Sequence, residues 1–112
     1  MERKEQEEMR TTRLEIEGLP ALERCRWAER TPERMRGLLG CDGLAPGEGM
    51  AFPRCNAIHT FFMSFSIDAT FLDAENRVVK IVRNIRPWRP LVWGGWRAKK
   101  VLETEARIRP FG

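Results

Sequence analysis

Leu14 and Ile16 alternate with charged residues and run into Gly18-Leu-Pro20, a pattern that predicts a short strand entering a turn. Residues 21–30 show neither the strand nor the helix period clearly. A strand is favoured there because Cys25 and Trp27 would share one buried face. Thr31-Pro32 then predicts a helix over about 32–39, with a hydroxyl cap and proline at its first position. Met35, Leu38 and Leu39 would form its apolar face, and Gly40 would end it in a left-handed conformation. Such a helix has two turns, so packing must hold it.

Four glycines and a proline make residues 40–49 a loop. The densest apolar stretch follows: Met50, Phe52, then Ile58, Phe61, Phe62, Met63, Phe65 and Ile67. That bulk exceeds what a one-sided strand needs and predicts a strand buried on both faces. The runs Ile67 to Leu72 and Val78 to Val82, around Asp73-Ala-Glu-Asn76, predict a β-hairpin. Pro87 and Pro90 make 86–95 a loop carrying Trp88 and Trp93, and Lys99 to Thr104 reads as one last strand. Residues 1–12 are polar apart from Met1 and Met9 and read as a disordered tail; residues 13–112 read as a single β-rich domain. The expected fold class is mainly β with minor helix, a small sandwich or barrel-like domain.

Composition agrees. At 112 residues and 42% hydrophobic content the chain can build one core, which excludes global disorder. No apolar run is long enough to span a membrane. The charged start lacks the apolar segment of a secretory signal, so the expected location is cytoplasmic unless an export segment has been removed. Three cysteines, Cys25, Cys41 and Cys55, cannot all pair in one chain and form no C-x-x-C. Free thiols in a reducing compartment are the first reading; one bridge plus a spare thiol is the other.

Charge is lopsided. Residues 77–112 hold 10 Lys+Arg against 2 Asp+Glu and three of the four tryptophans, within a net charge of +4 for the whole chain. A one-ended basic field concerns partners rather than fold.

Several segments in order resemble one family. They are Arg36-Gly-Leu-Leu-Gly40, Leu44-Ala-Pro-Gly-Glu-Gly49 and Cys55-Asn-Ala-Ile-His-Thr-Phe-Phe-Met63, then Ile67-Asp-Ala-Thr-Phe-Leu-Asp73. Arg77-Val-Val, Lys80, Pro87-Trp88 and Val101-Leu-Glu103 complete the set. Over about residues 30–103 the chain resembles the bacterial and archaeal family called domain of unknown function 192. That resemblance implies a compact β domain and no particular activity. Members usually continue past Val-Leu-Glu into a small-residue helix and a further strand, whereas here Thr104 to Gly112 follows. The expectation is an open edge at the last strand, which would favour pairing with a second copy.

Candidate chemistry centres on His59, the only histidine, which rules out a mechanism needing two imidazoles. Cys55 and His59 on one strand face would stand about 13 Å apart, too far for one metal. In a helical turn they could converge and would need Cys41 or an aspartate as a further ligand. The plainer reading is a polar cluster with no metal. Cys55 or Ser64 as nucleophile, with His59 as base and Asp68 orienting it, is a hydrolytic alternative lacking the glycines of a nucleophile elbow.

The preferred site is a small apolar pocket walled by Phe61 and Met63, with Asn56 and His59 at its mouth and Asp68 and Trp88 nearby. It would take a small molecule or peptide without cofactor. A further alternative is the basic loop 83–97, where Trp88, Trp93 and Trp96 stand among Arg86, Arg89 and Arg97. Single-stranded nucleic acid or an acidic partner would use stacking faces beside positive charge. Core-plugging tryptophans with solvated arginines explain the same loop without a partner.

Overall fold

A computed structural model describes residues 9–106, nearly all of them built around strands. In chain order these are β1 (Thr11–Leu14), β2 (Leu22–Trp27), β3 (Glu48–Pro53), β4 (Ala57–Ile58), β5 (Ile67–Leu72), β6 (Val78–Ile85), β7 (Val92–Trp93) and β8 (Lys100–Glu105). One helix, α1 (Thr31–Arg36), lies between β2 and β3. The main sheet runs β1-β2-β3-β8-β5-β6, and β4 pairs with β7 in a second sheet of two strands. The pair β2/β3 is parallel, and α1 sits in its crossover; the other neighbours are antiparallel. The fold is therefore mainly β with one short helix, and the sheet is open rather than a closed barrel.

The β5–β6 hairpin forms as the pattern predicts. Asp73 Oδ1 accepts from the backbone N–H groups of Glu75 and Arg77, both at 2.9 Å, which is how an aspartate stabilises a turn. Those bonds and the Arg77 guanidinium hold the Asp73 carboxyl below the usual carboxylate range, against a smaller opposing effect of burial.

Strand β2 shows why its period was ambiguous. The β1–β2 register shifts between Thr12 and Leu14, inserting one extra residue into β2. The bulge brings Leu22 onto the same buried side as Cys25 and Trp27. Trp27 Nε1 donates to Thr12 Oγ1 at 2.8 Å, and the Arg10 guanidinium lies 4.6 Å from the indole centroid.

Side chains alternate faces along β3, β5 and β8, so the sheet carries an apolar cluster on each side. Met50, Phe52, Phe71 and Val101 belong to one, together with Leu38 of the α1 crossover. Ala51, Leu72 and Leu102 belong to the other, covered by Leu14, Ile16 and Trp27.

Several expectations are corrected. Strand β1 begins at Thr11, inside the stretch expected to be a tail; residues 1–8 lie outside the described residues. Helix α1 stops at Arg36 because Gly37 turns with φ 48°, so Met35 does not share a face with Leu38 and is 77% exposed. Its cap is Arg30 rather than Thr31, and Glu33 reaches back to the Arg30 and Glu29 N–H groups at 3.0 and 3.1 Å. Burial alone would raise the Glu33 carboxyl, but the bonds from Arg30 and Glu29 outweigh it and hold it low.

The Phe61-Phe62-Met63 run is a loop, not a two-sided strand. The strands buried on both faces are β3, β8 and β5, which lie side by side inside the sheet. The last strand is consequently interior and not an open edge: β8 lies between β3 and β5, and the edges are β1 and β6. All three cysteines are free. Among the described residues no helix is long and apolar enough to cross a membrane.

Candidate binding pocket

Two buried residues organise the first face of the sheet. Thr60 is fully buried and ties loop 59–63 to loop 86–89. Its N–H donates to the Arg89 carbonyl at 2.9 Å and its hydroxyl to the Arg86 carbonyl at 2.7 Å. In return Trp88 N–H donates to the Thr60 carbonyl and Arg89 N–H to its hydroxyl, both at 2.8 Å. This lattice holds Phe62 and Trp88 at φ 63° and 70°, conformations bulky residues rarely adopt. They are 70% and 58% exposed, and their rings meet at a tilt of 59° with centroids 4.7 Å apart. Phe61 continues the row, 6.1 Å from Trp88 and 5.1 Å from the His59 ring.

The second residue is Glu103. It follows Val101 and Leu102 in β8 and is 5% exposed. Among the described residues its carboxyl has no hydrogen-bond or ionic partner, and burial pushes it up to about 8. A carboxyl of that pKa is mostly protonated at neutral pH, with one donor and one acceptor to offer.

Glu103 shares a cavity of about 150 Å³ with His59, Phe61 and Met63. Phe52, Leu38 and Cys55 complete its walls. Arg34 lines it too, but its guanidinium donates to the Pro53 and Arg54 carbonyls instead of to Glu103. His59 Nδ1 accepts from Phe61 N–H at 3.2 Å, and among the described residues Nε2 has no partner. Cys55 Sγ donates to the Ala57 carbonyl at 3.1 Å.

Three of the six residues expected at the site, His59, Phe61 and Met63, thus meet in one cavity. Trp88 stands beside it in the aromatic row. Asn56 lies in a different hollow with Arg54 and Lys100, and its carbonyl accepts from Gly94 N–H at 2.7 Å. Asp68 is on the opposite face of the sheet, where its carboxylate accepts from Asn84 N–H at 2.8 Å. A Cys55–His59–Asp68 arrangement is therefore not assembled, because alternation along β5 sends Asp68 away from the face that holds His59. Among the described residues no three His, Cys, Asp or Glu side chains are grouped to hold a metal.

The basic loop is divided. Trp88 packs on Phe61 and Phe62, whereas Trp93 and Trp96 form an edge-to-face pair of their own, 5.1 Å apart. Trp96 and Arg97 line a hollow shared with Asp73 and Glu75. Arg86 and Arg89 serve Thr60 through their backbones.

Glu103, Thr60 and Arg34 are the site residues that patterning missed. For Glu103 the local pattern gave no signal: β8 reads Lys-Val-Leu-Glu-Thr-Glu, with polar residues on both sides of the Val101-Leu102 pair and a second acid at Glu105. Thr60 gave none, since nothing local marks a threonine that will bond a loop 26 residues away.

The family model of DUF192, described as Uncharacterized ACR, matches residues 12–108. A UPF0127 protein of Thermococcus sibiricus is 40% identical over 84 residues, covering 68% of this chain and 51% of its own length. The chain thus spans about half the length of that curated relative. A protein of unknown function from Novosphingobium aromaticivorans has a similar crystal structure, with TM-score 0.71 and 22% identity over 86% of this chain and 71% of its own. A second solved structure, from Sinorhizobium meliloti, superposes with TM-score 0.73 and 20% identity, covering 86% and 79%. These structures share the fold.

Proposed function

The chain belongs to the DUF192 family, an uncharacterised one, and within it we propose that this protein is a binding module for a small carboxamide-like group, free or carried on a peptide. The observation that carries this reading is the Glu103 carboxyl, buried, facing a cavity and without a partner among the described residues. Buried polar groups ordinarily find partners, so one left without them is suited to an incoming ligand. A protonated carboxyl presents one O–H and one C=O, which match the C=O and N–H of an amide. A cationic ligand would have to ionise Glu103 with Arg34 at the cavity wall.

Size limits the occupant. A cavity of about 150 Å³ is smaller than the roughly 300–1,000 Å³ typical of drug-sized ligands. Only a side-chain-sized group enters, and anything larger lies outside on the Phe61–Phe62–Trp88 row.

The test is a titration of isotope-labelled protein with propionamide, propylamine and propionate. Propionamide is expected to shift the resonances of Ile58, His59 and Met63. Glu103→Gln, which retains a donor and an acceptor, should keep the response, and Glu103→Leu should lose it. An undiminished response in folded Glu103→Leu, or none to propionamide in the wild type, overturns the proposal.

A further inference from the structure

The opposite face of the sheet holds a second, larger cavity of about 350 Å³, within the usual size range for a small-molecule site. Residues of both edge strands line it, Leu14 from β1 and Ile81 from β6, and the segment between β1 and β2 adds Ile16, Leu19 and Pro20. Its apolar wall is aliphatic throughout: Leu14, Ile16, Leu19, Leu22 and Leu102, with Pro20 and no aromatic ring. An aliphatic wall without rings suits a branched alkyl group better than a flat one, for which stacking faces would be needed.

The polar groups are gathered on the sheet. Thr70 is 7% exposed and, among the described residues, its hydroxyl has no hydrogen-bond partner. No buried side-chain oxygen is shut away without a partner, so that hydroxyl opens onto the cavity it lines. Thr104 also lines it and pairs across the ladder with Asp68. Asp68 and Arg83 stand there with opposite charges 3.5 Å apart, and the Arg83 side chain is half exposed. Asp68 is 17% exposed and is held by Asn84 N–H at 2.8 Å, whereas the exposed Arg83 guanidinium can exchange partners at small cost. Glu105 completes the polar lining, with Oε1 accepting from Leu44 N–H at 2.6 Å.

We propose that this cavity binds a free α-amino acid with a branched aliphatic side chain of leucine size. The alkyl group fills the Leu14–Leu22 wall, the ammonium lies beside Asp68 and the carboxylate beside Arg83. The Thr70 hydroxyl donates to the same carboxylate. A head carrying both charges replaces each half of the Asp68–Arg83 pair, which neither a fatty acid nor an alkylamine can do. This site is separate from the Glu103 pocket and does not depend on that reading.

The experiment is calorimetric titration of the whole chain with L-leucine, 4-methylpentanoate, isoamylamine and glycine, with methyl resonances of Leu14, Ile16 and Leu102 followed by NMR. L-leucine is expected to shift those methyls and to bind at least tenfold more tightly than the three analogues, each of which lacks one part. Thr70→Val, nearly the same shape, should weaken leucine at least threefold, and Arg83→Gln should remove the advantage over isoamylamine. Equal binding of leucine and an analogue, or methyl shifts confined to the opposite face, overturns the assignment. So does unaltered leucine affinity in both variants.

Discussion

Gly94 lies flat against the ring of Phe71: a Cβ built on it would stand 2.1 Å from Phe71 Cδ1. Phe71 is fully buried in β5, and Gly94 N–H is held to the Asn56 carbonyl at 2.7 Å, so neither side is free to retreat. Gly94→Ala should destabilise the fold by about 3 kcal/mol, the upper end for overpacking, because neither side can move away. Gly95 meets open space, so Gly95→Ala should cost only the backbone strain of its φ of 97°, about 1–2 kcal/mol. Urea denaturation of both variants gives the comparison; equal midpoints would refute the packing argument.

Glu103 makes stability depend on pH above the ordinary carboxylate range. Its folded pKa of about 8 lies above the usual 4.5, so the unfolded chain releases this proton first. The contribution is complete below about pH 4.5 and is lost as pH rises toward 8, with a limiting slope of about 1.4 kcal/mol per unit. Glu33 and Asp73, both held low, act in the other direction, and their contribution disappears on acidification below their ordinary range. Denaturation at about pH 5, 6.5 and 8 should show Glu103→Gln gaining on the wild type as pH rises. A constant difference would mean that Glu103 is not desolvated.

Thr60→Val keeps the shape but removes the hydroxyl that bonds the Arg86 carbonyl and the Arg89 N–H. Two groups in a tightly packed junction lose their partner, at a cost of about 2–3 kcal/mol. Hydrogen exchange should quicken at residues 86–89, and Trp88 fluorescence should shift as its loop relaxes. Thr60→Ser should behave like the wild type. Unchanged exchange in Thr60→Val would show that the loops are held by something else.

The three thiols should react in two classes. Cys25 is fully buried, and burial pushes its thiol up to about 11 despite Arg10 and Arg26 nearby, so it is inert until the chain unfolds. Cys41 and Cys55 are partly exposed and should be alkylated in the native protein. If the Glu103 pocket takes an amide, propionamide should slow alkylation of Cys55 and leave Cys41 unaffected. Three thiols reacting at one rate would contradict the burial of Cys25.

Local patterning by itself determined the hairpin around Asp73 to Asn76, the strand containing Cys25 and Trp27, the last strand and the mainly β class. Each depends on neighbours a few residues apart, where alternation and turn chemistry act directly. The ordered motifs from Arg36 to Glu103 also carried the family. Tertiary structure alone decided where β8 goes, because strand order depends on pairing between distant segments and leaves no local mark. It decided likewise that Phe62 is exposed, since the Thr60 lattice overrides an apolar run that reads as core. The same reason governs the site: His59, Phe61 and Met63 are close in sequence and were legible together. Glu103 reaches them only through the β3–β8 pairing, and Asp68, nine residues from His59, is carried to the other face by the alternation of its strand.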